Sequence, residues 1–329
     1  MKSFEGLEMR SLLVCVLLVI AAPSYAQDGN CPKGAKLEKI QATDKGVETT
    51  INACVNGFNE RHGRVVGWAK RAKTFDCTYK RDKKHGRCIH FKNGKKSSDF
   101  NYKDGKRHGK CILYFENGKM EQDYIFKDDQ KHGKGFDYFE NGKKKTDCTY
   151  KDDKENGKCI DYFKNGKKKA DFTYKDGKLH GRCIAYFENG KKKWDWNYKD
   201  GKLHGKCIQD FENGKKKWDW NYKDGKRHGK CIDYFKNGKK ESDCTHKDGK
   251  WHGKCITYFK NGKMEQDFTY KDNKWHGRCI DYFKNGKMKA DKNFKDGKPH
   301  GRSIVYFENG KKKSDCTYAN GKKISCTKE

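Results

Sequence analysis

The chain is poor in proline, with three residues in 329, and has no long apolar run beyond residue 22. The second lack excludes a later membrane-spanning helix, which needs ~20 consecutive apolar residues. Hydrophobic residues make up 33 % of the sequence, against the roughly 45 % of an ordinary globular domain. One large central core is therefore excluded. A 3.6-residue apolar period is almost absent, which argues against helices. No Cys-x-x-Cys occurs, so the commonest zinc-ligand spacing is missing. Nor does any nucleophile, base and orienting group form a singular set. Every His or Asp candidate recurs with the repeat, whereas chemistry needs one constellation in one pocket. The expectation is a protein that is not an enzyme and holds no cofactor or metal.

What is abundant is positive charge. Lys and Arg number 77 against 45 Asp and Glu, a formal net charge of +32. Low hydrophobicity with high charge is usually the mark of disorder. Here the aromatics, 13 % of residues, are regularly spaced instead. A repeat array satisfies both facts, because each unit packs only on its neighbours.

Residues 1–26 read as a secretory signal peptide. Lys2 and Arg10 open it, Ser11 to Ala22 form the apolar stretch, and Ser24-Tyr25-Ala26 supplies a cleavage site after Ala26. The expected location is secreted or periplasmic. Residues 27–60 read as an N-terminal cap or degenerate repeat, 61–321 as about eleven repeats, and 322–329 as a tail.

The repeat is marked by two glycine pairs. His-Gly recurs from His62 to His300, 23 and then 24 residues apart, with Asn156-Gly157 standing in once. Asn-Gly recurs between, from Asn93 to Asn309. The segments between are short and rich in Tyr, Phe, Trp, Thr and Ile, which suits strands. Asn-Gly between aromatic runs is a hairpin signal, and a two-residue type I′ turn is expected there. The fold class is all-β: an elongated single antiparallel meander of ~24-residue hairpins, about twenty strands in all.

The pattern Tyr-Lys-Asp-Gly-Lys-x-His-Gly-Lys-x-Ile-x-Tyr-Phe-x-Asn-Gly-Lys resembles the MORN repeat variant, found in bacterial proteins that include some labelled YwqK-type antitoxin components. The resemblance covers about residues 60 to 321. It implies a β-hairpin array and an interaction role, without a particular ligand. One departure is cysteine where many members carry an aromatic, two residues after the His-Gly glycine.

A loop centred on Asn237-Gly238 sets Cys231 opposite Cys244, and a turn centred on Gly249-Lys250 sets Cys244 opposite Cys255. Extended along the chain, this register makes one column of cysteines and aromatics on one face. Tyr222 is expected opposite Gly229 and Tyr198 opposite Gly205, a ring over a glycine. The aromatic face takes in Phe172, Trp194, Trp196, Tyr198, Trp218, Trp220 and Tyr222. Either the sheet covers these rings itself, or they form a binding or self-association surface.

Opposed strand positions suit disulfides. The expected bridges are Cys77–Cys88, Cys148–Cys159, Cys244–Cys255 and Cys316–Cys326, with Cys31 and Cys54 as a further staple. The His-Gly histidines read as structural. Lysines follow the Asn-Gly turns (Lys191, Lys192, Lys193, Lys215, Lys216, Lys217) and surround the other turn (Lys223, Lys226, Arg227, Lys230). Both edges should then carry cationic stripes suited to an anion.

These features point to a binding or scaffold module. Its partner would be a protein or an anionic lipid or glycan surface of the envelope, with peripheral membrane contact and no transmembrane span; nucleic acid is disfavoured by the export signal. The alternative is a YwqK-like antitoxin or immunity protein that masks a protein toxin.

Overall fold

The structure, a computed structural model, describes residues 31–44 and 47–328. The expected export signal lies outside them. The described chain is all-β, with 28 antiparallel strands in one open sheet. Pairing follows chain order as a meander, from Lys36–Asp44 to Lys322–Lys328. Three of the strands, Lys178–Leu179, Lys202–Leu203 and Lys274–Trp275, are two-residue leads into strands that resume at Gly181, Gly205 and Gly277. Those leads, and the strands before residue 61, take the number beyond twenty.

The central register is as expected from the sequence. Cys231 pairs with Cys244, Cys244 with Cys255 and Cys255 with Phe268. Likewise Cys77 pairs with Cys88, Cys88 with Phe100 and Phe100 with Cys111. The column is the most buried line in the molecule: Cys88, Cys183 and Cys207 have no exposed surface. Small thiols pack there against rings from adjacent strands, so a sheet without a second layer still excludes water along its middle.

The turns differ from the expected geometry. At Asn237-Gly238 only the glycine has positive φ, +91°. The Gly238 N–H donates to Phe235 O at 2.8 Å, and the Phe235 N–H to Lys239 O at 2.9 Å. This is a three-residue loop, Lys236-Asn237-Gly238, ending in a left-handed glycine. Glu241 is then left over as a one-residue bulge, because Tyr234 pairs with Lys240 but Asp233 with Ser242. The two-residue turn does occur at Asn93-Gly94, with φ of +52° and +75°, where Lys92 pairs with Lys95. That repeat is one residue shorter, which removes the loop's third residue.

The second turn is Asp-Gly and not Gly-Lys. Asp248 and Gly249 both have positive φ, +52° and +86°, and Lys247 pairs with Lys250. His246 pairs with Trp251, yet Cys244 pairs with Cys255. Thr245 therefore faces three residues, His252, Gly253 and Lys254. Two surplus residues keep the in–out alternation unchanged, since the strand period is two. That is why a wrongly centred turn still yields the right column.

The bulge overturns both expected tyrosine–glycine pairings. Tyr222 does not face Gly229 but pairs with Arg227 on that side. Tyr198 likewise meets Leu203 and not Gly205 on that side; the glycine partners lie on the other side, Gly205 for Tyr222 and Gly181 for Tyr198. Tyrosine does pair with glycine, but across the Asn-Gly hairpin.

Candidate functional site

The cysteine face is filled by its own rings. Trp194 stacks on Trp196 at 4.6 Å, Trp196 on Trp218 at 5.9 Å and Trp218 on Trp220 at 4.4 Å. Phe172 joins Trp194 at 6.0 Å, and the Arg227 guanidinium closes the other end, 3.6 Å from the Trp220 ring centre. Stacked aromatics contribute ~0.5–1.5 kcal/mol per pair beyond their burial. Tyr198 and Tyr222 flank the row at 6.4 Å from Trp196 and Trp220. Burial pushes the Tyr198 hydroxyl up to about 12. All seven expected aromatic-face residues are buried or half-buried, so the sheet itself covers much of this face.

A second ring cluster escaped the sequence reading. Trp275 stacks on Phe268 at 5.6 Å and donates its indole N–H to the Tyr270 hydroxyl at 2.8 Å; Trp251 meets Tyr270 at 4.9 Å. Trp251 and Trp275 directly precede His-Gly pairs. The signal available was the position of Arg227, which occupies the equivalent place and caps the first row.

The opposite face carries a column of aspartates, each balanced by a cation from its own or a neighbouring strand. Asp195 accepts from Arg182 at 2.6 Å and from Lys192 at 3.2 Å. Asp219 pairs with Lys206 at 3.3 Å and Lys216 at 2.7 Å; Asp243 pairs with Lys230 at 3.3 Å and Lys240 at 2.7 Å. Hydrogen bonds from Arg182 hold the Asp195 carboxyl below the usual carboxylate range.

The two long edges are not alike. Along the Asn-Gly edge, lysines tie each loop to the next. Lys191 Nζ donates to Asn213 O at 3.0 Å, Lys215 Nζ to Asn237 O at 2.7 Å, and Asn237 Nδ2 to Lys260 O at 3.1 Å. Lys193 stands 5.9 Å from the Phe187 ring centre. So of the lysines expected to bind an anion, Lys191 and Lys215 hold loops, while Lys192, Lys216 and Lys230 hold aspartates. Arg227 caps Trp220. Lys217, Lys223 and Lys226 have no ion-pair partner among the described residues.

The Asp-Gly edge repeats the Lys223–Lys226 arrangement. Lysines face each other directly across nine turns among the described residues, from Lys80 opposite Lys83 to Lys295 opposite Lys298. Each of these lysines is exposed. Like charges placed opposite one another destabilise a sheet, and one exposed turn aspartate such as Asp224 sits between two lysines. The histidines lie along this same edge as ties between turns: His180 Nδ1 stands 3.2 Å from Asp200 Oδ1.

Cys77, Cys88 and His90 bring ligand atoms within 4.8 Å of one another, but the two sulfurs are joined to each other. Among the described residues there are five disulfides: Cys31–Cys54, Cys77–Cys88, Cys148–Cys159, Cys244–Cys255 and Cys316–Cys326. No helix among the described residues is long and apolar enough to cross a membrane.

The MORN repeat variant profile matches residues 131–152, 155–176, 227–248, 251–272, 275–296 and 299–320, and the MORN repeat profile matches 101–120, 173–192 and 197–216. The chain belongs to the MORN repeat variant family. Each matched MORN variant segment opens just before a His-Gly or Asn-Gly bulge and ends on the first residue of the next two-residue turn, so the MORN unit spans one loop-linked pair of strands. A MORN array is a repeat binding module, and no curated protein matches the chain.

Proposed function

We propose that this MORN array is an exported, non-enzymatic binding module that docks by its Asp-Gly edge on an anionic surface, with acidic lipid head groups as the partner. The observation that carries the reading is the ladder of opposed, exposed lysine pairs. Their repulsion is a cost to the fold that an array of anions in contact with the edge would reverse. Successive pairs lie two strands apart, about 9.6 Å, so the edge presents charge at a regular pitch to an extended surface. A single small anion would meet one pair only. The five disulfides support an oxidising location.

The test is co-sedimentation of the mature protein with neutral vesicles and with vesicles containing acidic phospholipid, at low and high salt. Binding confined to acidic vesicles and lost at high salt is expected, because exposed charges are screened beyond ~10 Å at 0.1 M salt. Equal binding to neutral vesicles, or none to either, contradicts the reading.

A further inference from the structure

Cysteines occupy three consecutive rungs of the buried column at one place only among the described residues. Cys231, Cys244 and Cys255 lie side by side on three adjacent strands. Cys244 is bonded to Cys255, and Cys231 is a free thiol. The comparable hairpin bridges lack such a neighbour. Cys77–Cys88 is flanked by Val65 and Phe100, and Cys148–Cys159 by Gly135 and Phe172.

We infer that Cys231, Cys244 and Cys255 form a thiol–disulfide exchange site, in which one disulfide alternates between Cys244–Cys255 and Cys231–Cys244. This inference is independent of the proposed partner. Both linkages join residues already opposed in the register, so neither strand has to slide. The Cα atoms of Cys244 and Cys255 are 3.9 Å apart, the close spacing of a non-hydrogen-bonded pair. A residue in an antiparallel sheet alternates its neighbours, so Cys231 and Cys244 form the hydrogen-bonded kind, with Cα atoms about 5.5 Å apart. That lies inside the range a disulfide accepts.

The step needs no outside oxidant or reductant. The Cys231 thiolate attacks Cys244 Sγ, a Cys231–Cys244 bond forms, and the Cys244–Cys255 bond breaks. Cys255 leaves as the thiolate and takes up a proton, replacing the one Cys231 released. Cys244 moves only its sulfur from one neighbour to the other. All three residues are at most 3 % exposed, so attack is intramolecular and shielded from external thiols. Burial also pushes the Cys231 thiol up. The attacking thiolate is then scarce at neutral pH, and exchange quickens in alkali.

Exchange changes which connection is stapled. One form ties the Asp-Gly hairpin and leaves Cys231 free beside Trp220; the other ties the Asn-Gly loop and leaves Cys255 free beside Phe268. The free thiol moves two strands, about 9.6 Å.

Tryptic mapping tests this, because lysines separate the three cysteines into different peptides. The wild-type protein is equilibrated at mildly alkaline pH, its free thiols are blocked in acid denaturant, and the linked peptides are identified by mass. Both linkages are expected, within about tenfold of each other, and the blocked thiol should divide between Cys231 and Cys255. In Cys255→Ser, Cys231 and Cys244 should be joined, and in Cys231→Ser only Cys244–Cys255 should appear. A wild-type protein that holds only Cys244–Cys255 after equilibration overturns the inference, whatever the variants show.

Discussion

Tyr222 lies opposite Gly205, across the three-residue loop of its own hairpin. The relationship matters because Gly205 has φ +79° and is one of the surplus residues of the preceding bulge. A single glycine therefore bulges towards one neighbouring strand while it holds a register pair with Tyr222 on the other.

Glycines at two kinds of position should respond differently to alanine. Nothing lies near a Cβ built on Gly205, so Gly205→Ala carries only the backbone penalty of a left-handed residue, about 1 kcal/mol. Gly135 has no positive φ but stands in the cysteine column, where a Cβ would strike the Tyr124 ring. Gly135→Ala should cost about 2–3 kcal/mol through overpacking. Denaturant melts of both variants check the order; equal losses would show that the ring contact is slack.

His246 stands where neighbouring repeats have Tyr222 and Tyr270, opposite Gly229 and beside Trp251. It is buried, and neither ring nitrogen has a hydrogen-bond partner. Burial holds its pKa below the ordinary value, the Arg227 charge lowers it further, and Asp233 opposes them. A base with a depressed folded pKa stabilises fully above its unfolded pKa of ~6.5 and loses that stability as pH falls. His246→Tyr should remove this acid dependence and raise stability by about 1 kcal/mol, by replacing an unsatisfied group. Thermal melts of wild type and variant from neutral to mildly acidic pH report it. Parallel pH profiles would contradict it.

Trp218→Ala should be felt locally. It removes both stacks that join Trp196 to Trp220 and costs about 3 kcal/mol. Repeat arrays couple through nearest neighbours. Amide exchange should therefore quicken in the strands around residues 194–234 and stay unchanged beyond residue 290. Uniform loss of protection along the chain would mean that the array is one cooperative unit.

The aspartate column should make the sheet acid-tolerant. Arg87 and Arg182 hold Asp99 and Asp195 below the usual carboxylate range. Their contribution is present above the unfolded value of ~3.9 and disappears only as pH falls through the lowered values. Arg182→Gln should move the acid midpoint upward, as read by circular dichroism; no movement would mean that Lys192 alone suffices.

The column of cysteines and rings was legible because two glycine pairs recur at a nearly fixed interval and strands alternate by two. The turn geometry was not. Lys-Asn-Gly-Lys fits both a two-residue and a three-residue loop, and one extra residue before Asn237 decides between them. The bulge at His252-Gly253 was hidden for a related reason: its two surplus residues cancel a turn centred one position too far along, so the column could not expose the error. Trp251 and Trp275 were missed because that same bulge sets which residues they meet across the turn, His246 and Tyr270. Lysine position was readable, but lysine engagement was not. Lys191 and Lys223 look alike in sequence, whereas the first reaches the next loop's carbonyl and the second faces Lys226.

That asymmetry between the edges is the central claim, and exchanging charge on one edge at a time tests it most directly. One variant carries Lys199→Gln, Lys202→Gln, Lys223→Gln and Lys226→Gln; the other carries Lys169→Gln, Lys193→Gln, Lys217→Gln and Lys289→Gln, an equal loss of charge on the Asn-Gly side. Affinity for acidic vesicles at low salt is the measurement. The account predicts a loss of roughly 100- to 1,000-fold in the first variant, as for four surface lysines worth ~1 kcal/mol each near an acidic membrane, and little change in the second. Equal losses would contradict it, because net charge and not the opposed lysine ladder would then be what the surface recognises.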